Sequence, residues 1–193
     1  MNSPDSESFT LYAHASALEQ QKALLPAAGF PVQVPDPVAL RRQIARLGAL
    51  ITAMGNEFTA RAAEQPAPEH ALRAAGAYAA AIGHVGQAAA DLGTVAQQLA
   101  FFGRTADTRD DPEVRKARQN AAGVIGWAIE TARDELDQGA ATLRQTASVV
   151  APPSQRVQAA LSRSTTAVTV SARTAPSTAP PLAPPAFSSA RFR

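Results

Sequence analysis

The chain has 193 residues, of which 46% are hydrophobic and 5% aromatic, so it can form one domain with terminal segments but must build its core largely from small side chains. It has no cysteine, which excludes disulfides, thiolate metal sites and cysteine nucleophiles. The formal net charge of +2 conceals an asymmetry, because residues 151–193 carry five arginines and no acidic residue, whereas residues 1–150 carry 13 basic and 16 acidic residues.

The first predicted helix runs from Pro4 to about Leu25. Ser3 suits the position before the helix, because its hydroxyl can accept from a free backbone N–H, and proline fits the first turn. A thin apolar stripe recurs every seven residues at Leu11, Leu18 and Leu25. Pro26 ends this helix, and residues 26–36 are predicted to form an extended, proline-containing connector.

The second predicted helix begins at Asp36-Pro37 and ends near Gln65-Pro66. Its apolar residues follow a regular heptad spacing and define a helix seam of six residues: Leu40, Ile44, Leu47, Ile51, Met54 and Phe58. Such a seam either faces the inside of the bundle or forms a homodimer. Because large apolar residues are few, burial shared between two copies is a reasonable expectation, and we expect an oligomer.

The third predicted helix begins at Pro68-Glu69 and continues to about Phe102. Between Arg73 and Arg104 its one charged residue is Asp91, and a helix that is apolar on most sides is usually enclosed by others. Its glycines are unfavourable for a helix by about 1 kcal/mol each relative to alanine. We therefore expect them to allow close approach of a neighbouring backbone; they are Gly76, Gly83, Gly86 and Gly93.

The fourth predicted helix begins at Asp111-Pro112 and extends to Val150. Its inward positions repeat at intervals of four, three and four residues: Ala121, Ile125, Ala128, Ala132, Leu136, Gly139, Leu143, Ala147 and Val150. Trp127 is next to this stripe, so we expect it at the edge of the seam or in a contact.

These elements predict an all-α fold, an elongated antiparallel bundle of three long helices with a shorter N-terminal helix, over residues 1–150. Short connectors favour antiparallel neighbours for the second, third and fourth helices. Residues 151–193 are rich in proline, serine, alanine and arginine, a composition that predicts a flexible, disordered basic tail.

No catalytic or cofactor-binding motif is present, so we predict a protein that is not an enzyme and needs no cofactor or metal. The histidines His14, His70 and His84 do not pair at metal-ligand spacing. We expect His84 to be a packed or hydrogen-bonded residue that Glu57 could face from the second helix. Neither a P-loop nor a dinucleotide-binding glycine motif occurs, and we expect no small-molecule substrate.

The basic tail ends in an aromatic and arginine-containing peptide that could dock into a partner: Phe187, Arg191, Phe192 and Arg193. We therefore expect a protein that interacts with others or assembles, with a protein partner or with itself. The alternative is a nucleic-acid-binding accessory protein that uses this tail and arginine-rich helix faces. Its candidate phosphate contacts are Arg41, Arg42 and Arg46, with a second basic group at Arg115, Lys116 and Arg118.

The polar N-terminus, with Asp5 and Glu7, lacks a signal peptide, which indicates a cytoplasmic protein, and export by another route is a lesser alternative. We expect no membrane span, because the most apolar stretch, residues 74–103, consists mainly of alanine and glycine rather than leucine-type residues.

Overall fold

A computed structural model of the chain describes residues 3–26 and 34–151. All regular structure in these residues is helical: α1 is Pro4–Ala23, α2 is Pro37–Ala62, α3 is Glu69–Arg104 and α4 is Pro112–Val150. The four predicted helices are confirmed. α2 ends at Ala62 rather than near Gln65, and α3 continues past Phe102 to Arg104. The predicted tail beyond Ala151 lies outside the described residues.

Side-chain caps fix three of the helix starts. Ser3 Oγ accepts a hydrogen bond from the backbone of Ser6, and Asp36 Oδ2 accepts one from the backbone of Ala39. Asp111 Oδ1 accepts from two successive backbone N–H groups at the start of α4. These acceptors satisfy donors that have no partner within a helix, and a proline follows each cap in the first helical position.

Neighbouring helices are antiparallel. α3 and α4 are joined near the middle of α3 by His84 with Glu135, and at the end of α3 and start of α4 by Arg118, which donates to the carbonyl of Phe102. α1 packs mainly on the second half of α4, where Ser8 donates to the carbonyl of Ala147 at 3.0 Å. α2 packs mainly on α3. α1 therefore lies alongside the bundle, not across it.

The core is a stack of leucine, valine, isoleucine and many alanine side chains. The predicted inward stripe of α4 is buried from Ala121 to Ala147, and Val150 is half-buried. The thin stripe of α1 is also buried, at Leu11, Leu18 and Leu25. Alanine removes little apolar surface from water, so this core depends on close helix packing over long contact lengths.

None of the helices in the described residues is both long and apolar enough to cross a lipid bilayer.

Candidate functional site

An apolar groove is open where the first turns of α2 lie against the last turns of α3. Its volume is about 610 Å³, and it is lined by Pro37, Leu40, Arg41, Ile44, Ala45, Ala96, Leu99 and Ala100. The alanines leave space that larger side chains would fill, and Arg41 is the one charged residue of the lining. Concave apolar surfaces of this kind are suited to receive apolar side chains of a ligand or partner.

The structure divides the six predicted seam residues of α2 between two environments. Leu40, Leu47 and Met54 point into the core and are fully or almost fully buried. Ile44 and Ile51 pack on the edge of the core and are half-buried, and Phe58 is 38% exposed. The seam therefore consists of two rows. The row of Leu40, Leu47 and Met54 packs in the core of the bundle, and the row of Ile44, Ile51 and Phe58 is partly exposed beside α3.

The predicted phosphate contacts of α2 lie on its surface. Arg41, Arg42 and Arg46 are all exposed, and the described part of the chain supplies no ion-pair partner for them. On α4, Arg118 differs from its basic neighbours, because its guanidinium lies 4.7 Å from the ring centroid of Phe102 and donates to Thr105 Oγ1. Arg118 is therefore committed to the α3–α4 connection.

The other predicted contact residues, Phe187, Arg191, Phe192 and Arg193, lie outside the described residues. Several large apolar side chains of the helical bundle are exposed and could also contact a partner. Phe9 on α1 is 76% exposed and Trp127 on α4 is 64% exposed. Trp127 thus lies at the exposed edge of the seam of α4.

The expected pairing of His84 with Glu57 is wrong. His84 Nδ1 lies 2.7 Å from Glu135 Oε2 of α4, and Glu57 binds Arg61 within α2. The reason is the packing order of the helices. The face of α3 that carries His84 lies against α4, whereas α2 packs against another side of α3.

The expectation that the glycines of α3 admit a neighbouring backbone is also wrong. A Cβ atom placed on Gly76, Gly83, Gly86 or Gly93 would meet no other atom within 4 Å apart from its own helix. Gly139 of α4 is the position where close approach occurs, because its Cβ would lie 3.2 Å from Leu18 Cδ1 and 3.4 Å from His84 Cβ. The α3 glycines therefore face open space.

A buried charge cluster joins α1, α2 and α3, and sequence reasoning missed it. Arg61 binds the carboxylates of both Glu7 and Glu57, and its guanidinium lies 5.0 Å from the centroid of the Tyr78 ring. His14 meets the same ring edge-on at 5.5 Å. The spacing of Glu57 and Arg61 by four residues was the available signal, but it equally describes an exposed pair.

Burial and the neighbouring charges shift the pKa values of Arg61 and Tyr78 in opposite directions. Burial lowers the pKa of Arg61, but its hydrogen bonds to Glu7 and Glu57 raise it more, so the guanidinium is held charged. Burial raises the pKa of Tyr78 above its ordinary value, although the nearby Arg61 opposes the shift. Among the described residues, Tyr78 Oη and Glu7 Oε2 have no hydrogen-bond partner.

Asp91 is a buried acidic residue outside this cluster, on the side of α3 that also carries His84. Gln87 Nε2 donates to Asp91 Oδ1 at 3.3 Å, while Oδ2 has no donor among the described residues. Burial raises the pKa of Asp91, the hydrogen bond from Gln87 opposes this, and the negative charge of Glu135 adds to the increase. Within residues 3–26 and 34–151, no group of three or more acidic or histidine side chains is arranged to hold a metal ion.

Comparison with known proteins identifies no protein family, no curated protein and no solved structure that matches this chain.

Proposed function

We propose that this protein is a non-enzymatic interaction or assembly protein, in which a helical bundle offers a docking surface and the basic C-terminal segment offers a docking peptide. The observation that carries the proposal is the open apolar groove between α2 and α3, with a volume of about 610 Å³. Exposed apolar surface is typical of contact sites, since water is released when a partner covers it.

The sequence of the C-terminal segment supports the second half of this proposal. Residues 151–193 hold five arginines and no acidic residue, and the segment ends in Arg191, Phe192 and Arg193. Arginine pairs with carboxylates through two parallel hydrogen bonds, and phenylalanine fills apolar pockets. A partner for this segment would therefore present acidic groups beside an apolar pocket.

The test is affinity capture from the native cell lysate with the full chain, a chain that ends at Val150, and full-chain Ala100→Trp, which fills the groove from an exposed position of its lining. Ala117→Trp is the matched control, because Ala117 is exposed on α4 and does not line the groove. We expect specific partners to be lost with the tail or with the filled groove. Equal recovery by all four proteins would contradict the proposal.

The alternative is a nucleic-acid-binding accessory protein, and the exposure of Arg41, Arg42 and Arg46 on one helix favours it. Phosphate contacts release counterions, so binding would weaken steeply as salt increases. Replacement of the three arginines with glutamine should then reduce both the affinity for duplex DNA and its salt dependence. The exposed Arg104 and Arg109 belong to neither predicted phosphate-contact group and provide a control, since a general charge effect would give a similar loss there.

A further inference from the structure

Ion pairs hold α1 on two other helices of the bundle. Glu7 binds Arg61 of α2, and both side chains are buried. Glu19 binds Arg144 of α4, and both of these side chains are partly exposed. A buried ion pair gives little net stability because both charges lose their water, and an exposed pair gives little because water screens it. These pairs therefore fix the position of α1 more than they resist its release.

The end of α1 is held by charged side chains of α4. Lys22 binds Asp137, and Arg133 donates to three carbonyl groups within residues 22–26 at 3.3 to 3.4 Å. Carbonyl groups in the last turn of a helix have no partner within that helix. Water satisfies the same carbonyl groups when the helix end is exposed, so the net contribution of these hydrogen bonds is modest.

Apolar packing holds α1 through one narrow stripe. Leu11, Ala15 and Leu18 are fully buried, whereas Phe9 on the other side of the helix is 76% exposed. α3 and α4 instead share long rows of buried side chains over most of their length. Because the hydrophobic effect scales with the apolar area that is removed from water, it holds α1 less strongly than it holds α3 and α4 together.

Buried polar atoms without hydrogen bonds are concentrated where α1 meets the bundle. Among the described residues, Glu7 Oε2 and Gln21 Oε1 of α1 have no partner, nor has the hydroxyl of Tyr78, whose ring contacts His14 of α1. Elsewhere in the described part of the chain, Asp91 Oδ2 alone shares this state. A buried polar atom without a partner opposes folding, because it has lost its hydrogen bonds to water. Release of α1 returns water to three of these four atoms.

The packing of the other three helices does not pass through α1. α2, α3 and α4 follow one another in the sequence, and they pack in the same order, α2 on α3 and α3 on α4. Residues 24–36 separate α1 from α2. Removal of α1 from its place therefore leaves the contacts between α2 and α3 and between α3 and α4 intact.

We propose that α1 is a releasable helix, held closed by its ion pairs, that opens as a unit while α2, α3 and α4 stay folded. Opening separates Glu7 from Arg61 and uncovers Arg61 and Tyr78 beside the apolar surface that Leu11 and Leu18 cover. This surface accepts a helix, since α1 itself occupies it, and the Arg61 guanidinium binds a carboxylate of that helix. The opening does not depend on the interaction role proposed above, which concerns the groove and the C-terminal segment.

The first test measures how often α1 opens. Because the chain has no cysteine, Ala15→Cys places a single thiol on the buried side of α1. Ala128→Cys is the matched control, since Ala128 is equally buried on α4 and lies seven residues before Glu135, which contacts α3. A small thiol reagent should label Ala15→Cys at least about tenfold faster than Ala128→Cys, because release of α1 requires less free energy than global unfolding. Equal rates with the same dependence on urea would overturn the proposal.

The second test uses the unaltered full chain. Hydrogen exchange followed by NMR compares amides in the middle of α1 with those in the middle of α4. We expect the amides of α1 to share one opening free energy that is smaller than that of α4. Protection of the middle of α1 equal to that of α4, with faster exchange only at the helix ends, would overturn the proposal, because that pattern indicates fraying.

The third test concerns the ion pairs. Arg144→Gln removes the partner of Glu19, whereas Arg73→Gln removes the partner of Glu69 within α3 and is the matched control. In the Ala15→Cys background, Arg144→Gln should raise the labelling rate about two- to fivefold, the range for loss of an exposed ion pair, and Arg73→Gln should leave it unchanged. Equal labelling of both variants would overturn the role of the ion pairs in holding α1 closed.

Discussion

Arg61 shows how much a single residue contributes to this bundle. Its side chain is almost fully buried and binds one carboxylate from α1 and one from its own helix. A buried ion pair gives little net stability relative to an apolar replacement, but removal of one partner leaves a charge without compensation. Arg61 therefore specifies how α1 is placed on α2 and α3 more than it adds to the total free energy of folding.

Arg61→Met should lower the free energy of unfolding by about 3–5 kcal/mol, because Glu7 then lies buried without a cation. The double variant Glu7→Gln with Arg61→Met should recover part of this loss, since neither charge is present. Urea denaturation of the wild type, both single variants and the double variant measures the coupling. If the changes in the free energy of unfolding are additive, Glu7 and Arg61 do not interact in solution.

Asp91 gives a prediction that depends on pH. Its pKa is raised in the folded protein by burial, so the folded state binds the proton more tightly than the unfolded state. Its contribution to stability is therefore fully present below the unfolded pKa of about 3.9 and declines as the pH rises through the folded pKa. Asp91→Asn should be more stable than the wild type at pH 7, on the order of 1 kcal/mol, because no buried charge forms.

The difference between Asp91→Asn and the wild type should shrink as the pH falls toward about 3.5, where the wild-type carboxyl is also neutral. Thermal unfolding of both proteins across this range tests the sign of the effect. A variant that is less stable than the wild type at pH 7 would show that the Asp91 carboxylate is stabilised rather than disfavoured by its surroundings.

At the scale of the helix, glycine has two opposite roles that the sequence alone does not separate. The start signals, the heptad of α2 and the inward stripe of α4 depend on local chemistry and periodicity, so the helices could be predicted from them. The side of α3 that faces α4 could not be predicted, because alanine and glycine on most sides of this helix leave no clear apolar stripe. That ambiguity produced both errors, the partner of His84 and the role of the α3 glycines.

A pair of matched substitutions tests the two glycine environments. Gly83→Ala should stabilise the protein by about 0.5–1 kcal/mol, because alanine favours the helix and its Cβ meets open space. Gly139→Ala should instead destabilise it by about 1 kcal/mol, since Leu18 must move away from the new methyl group. Chemical denaturation measures the free energy of unfolding of both variants. An increase for both would show that α1 does not pack tightly over Gly139.

At the scale of the whole molecule, the groove and the exposed arginines lie on the surface of a body whose buried charges are used mainly to hold helices together. The groove could not be found from the sequence, because it lies between α2 and α3 beside small side chains from distant positions: Ala45, Ala96 and Ala100. The seam itself was predictable, but the split between its buried and exposed rows depends on where α3 lies. The docking peptide is still a prediction from composition alone.

If this protein functions in contact with a partner, its size in the native lysate should exceed that of a single copy. Gradient sedimentation of a gently prepared lysate, followed by detection of the chain, compares its mass with the 20.0 kDa of a single copy. We predict sedimentation as a larger assembly, and a shift toward the single-copy position for Ala100→Trp. Sedimentation of the wild-type chain as a free 20.0 kDa species would show that it has no stable partner in the lysate, against the proposed interaction role.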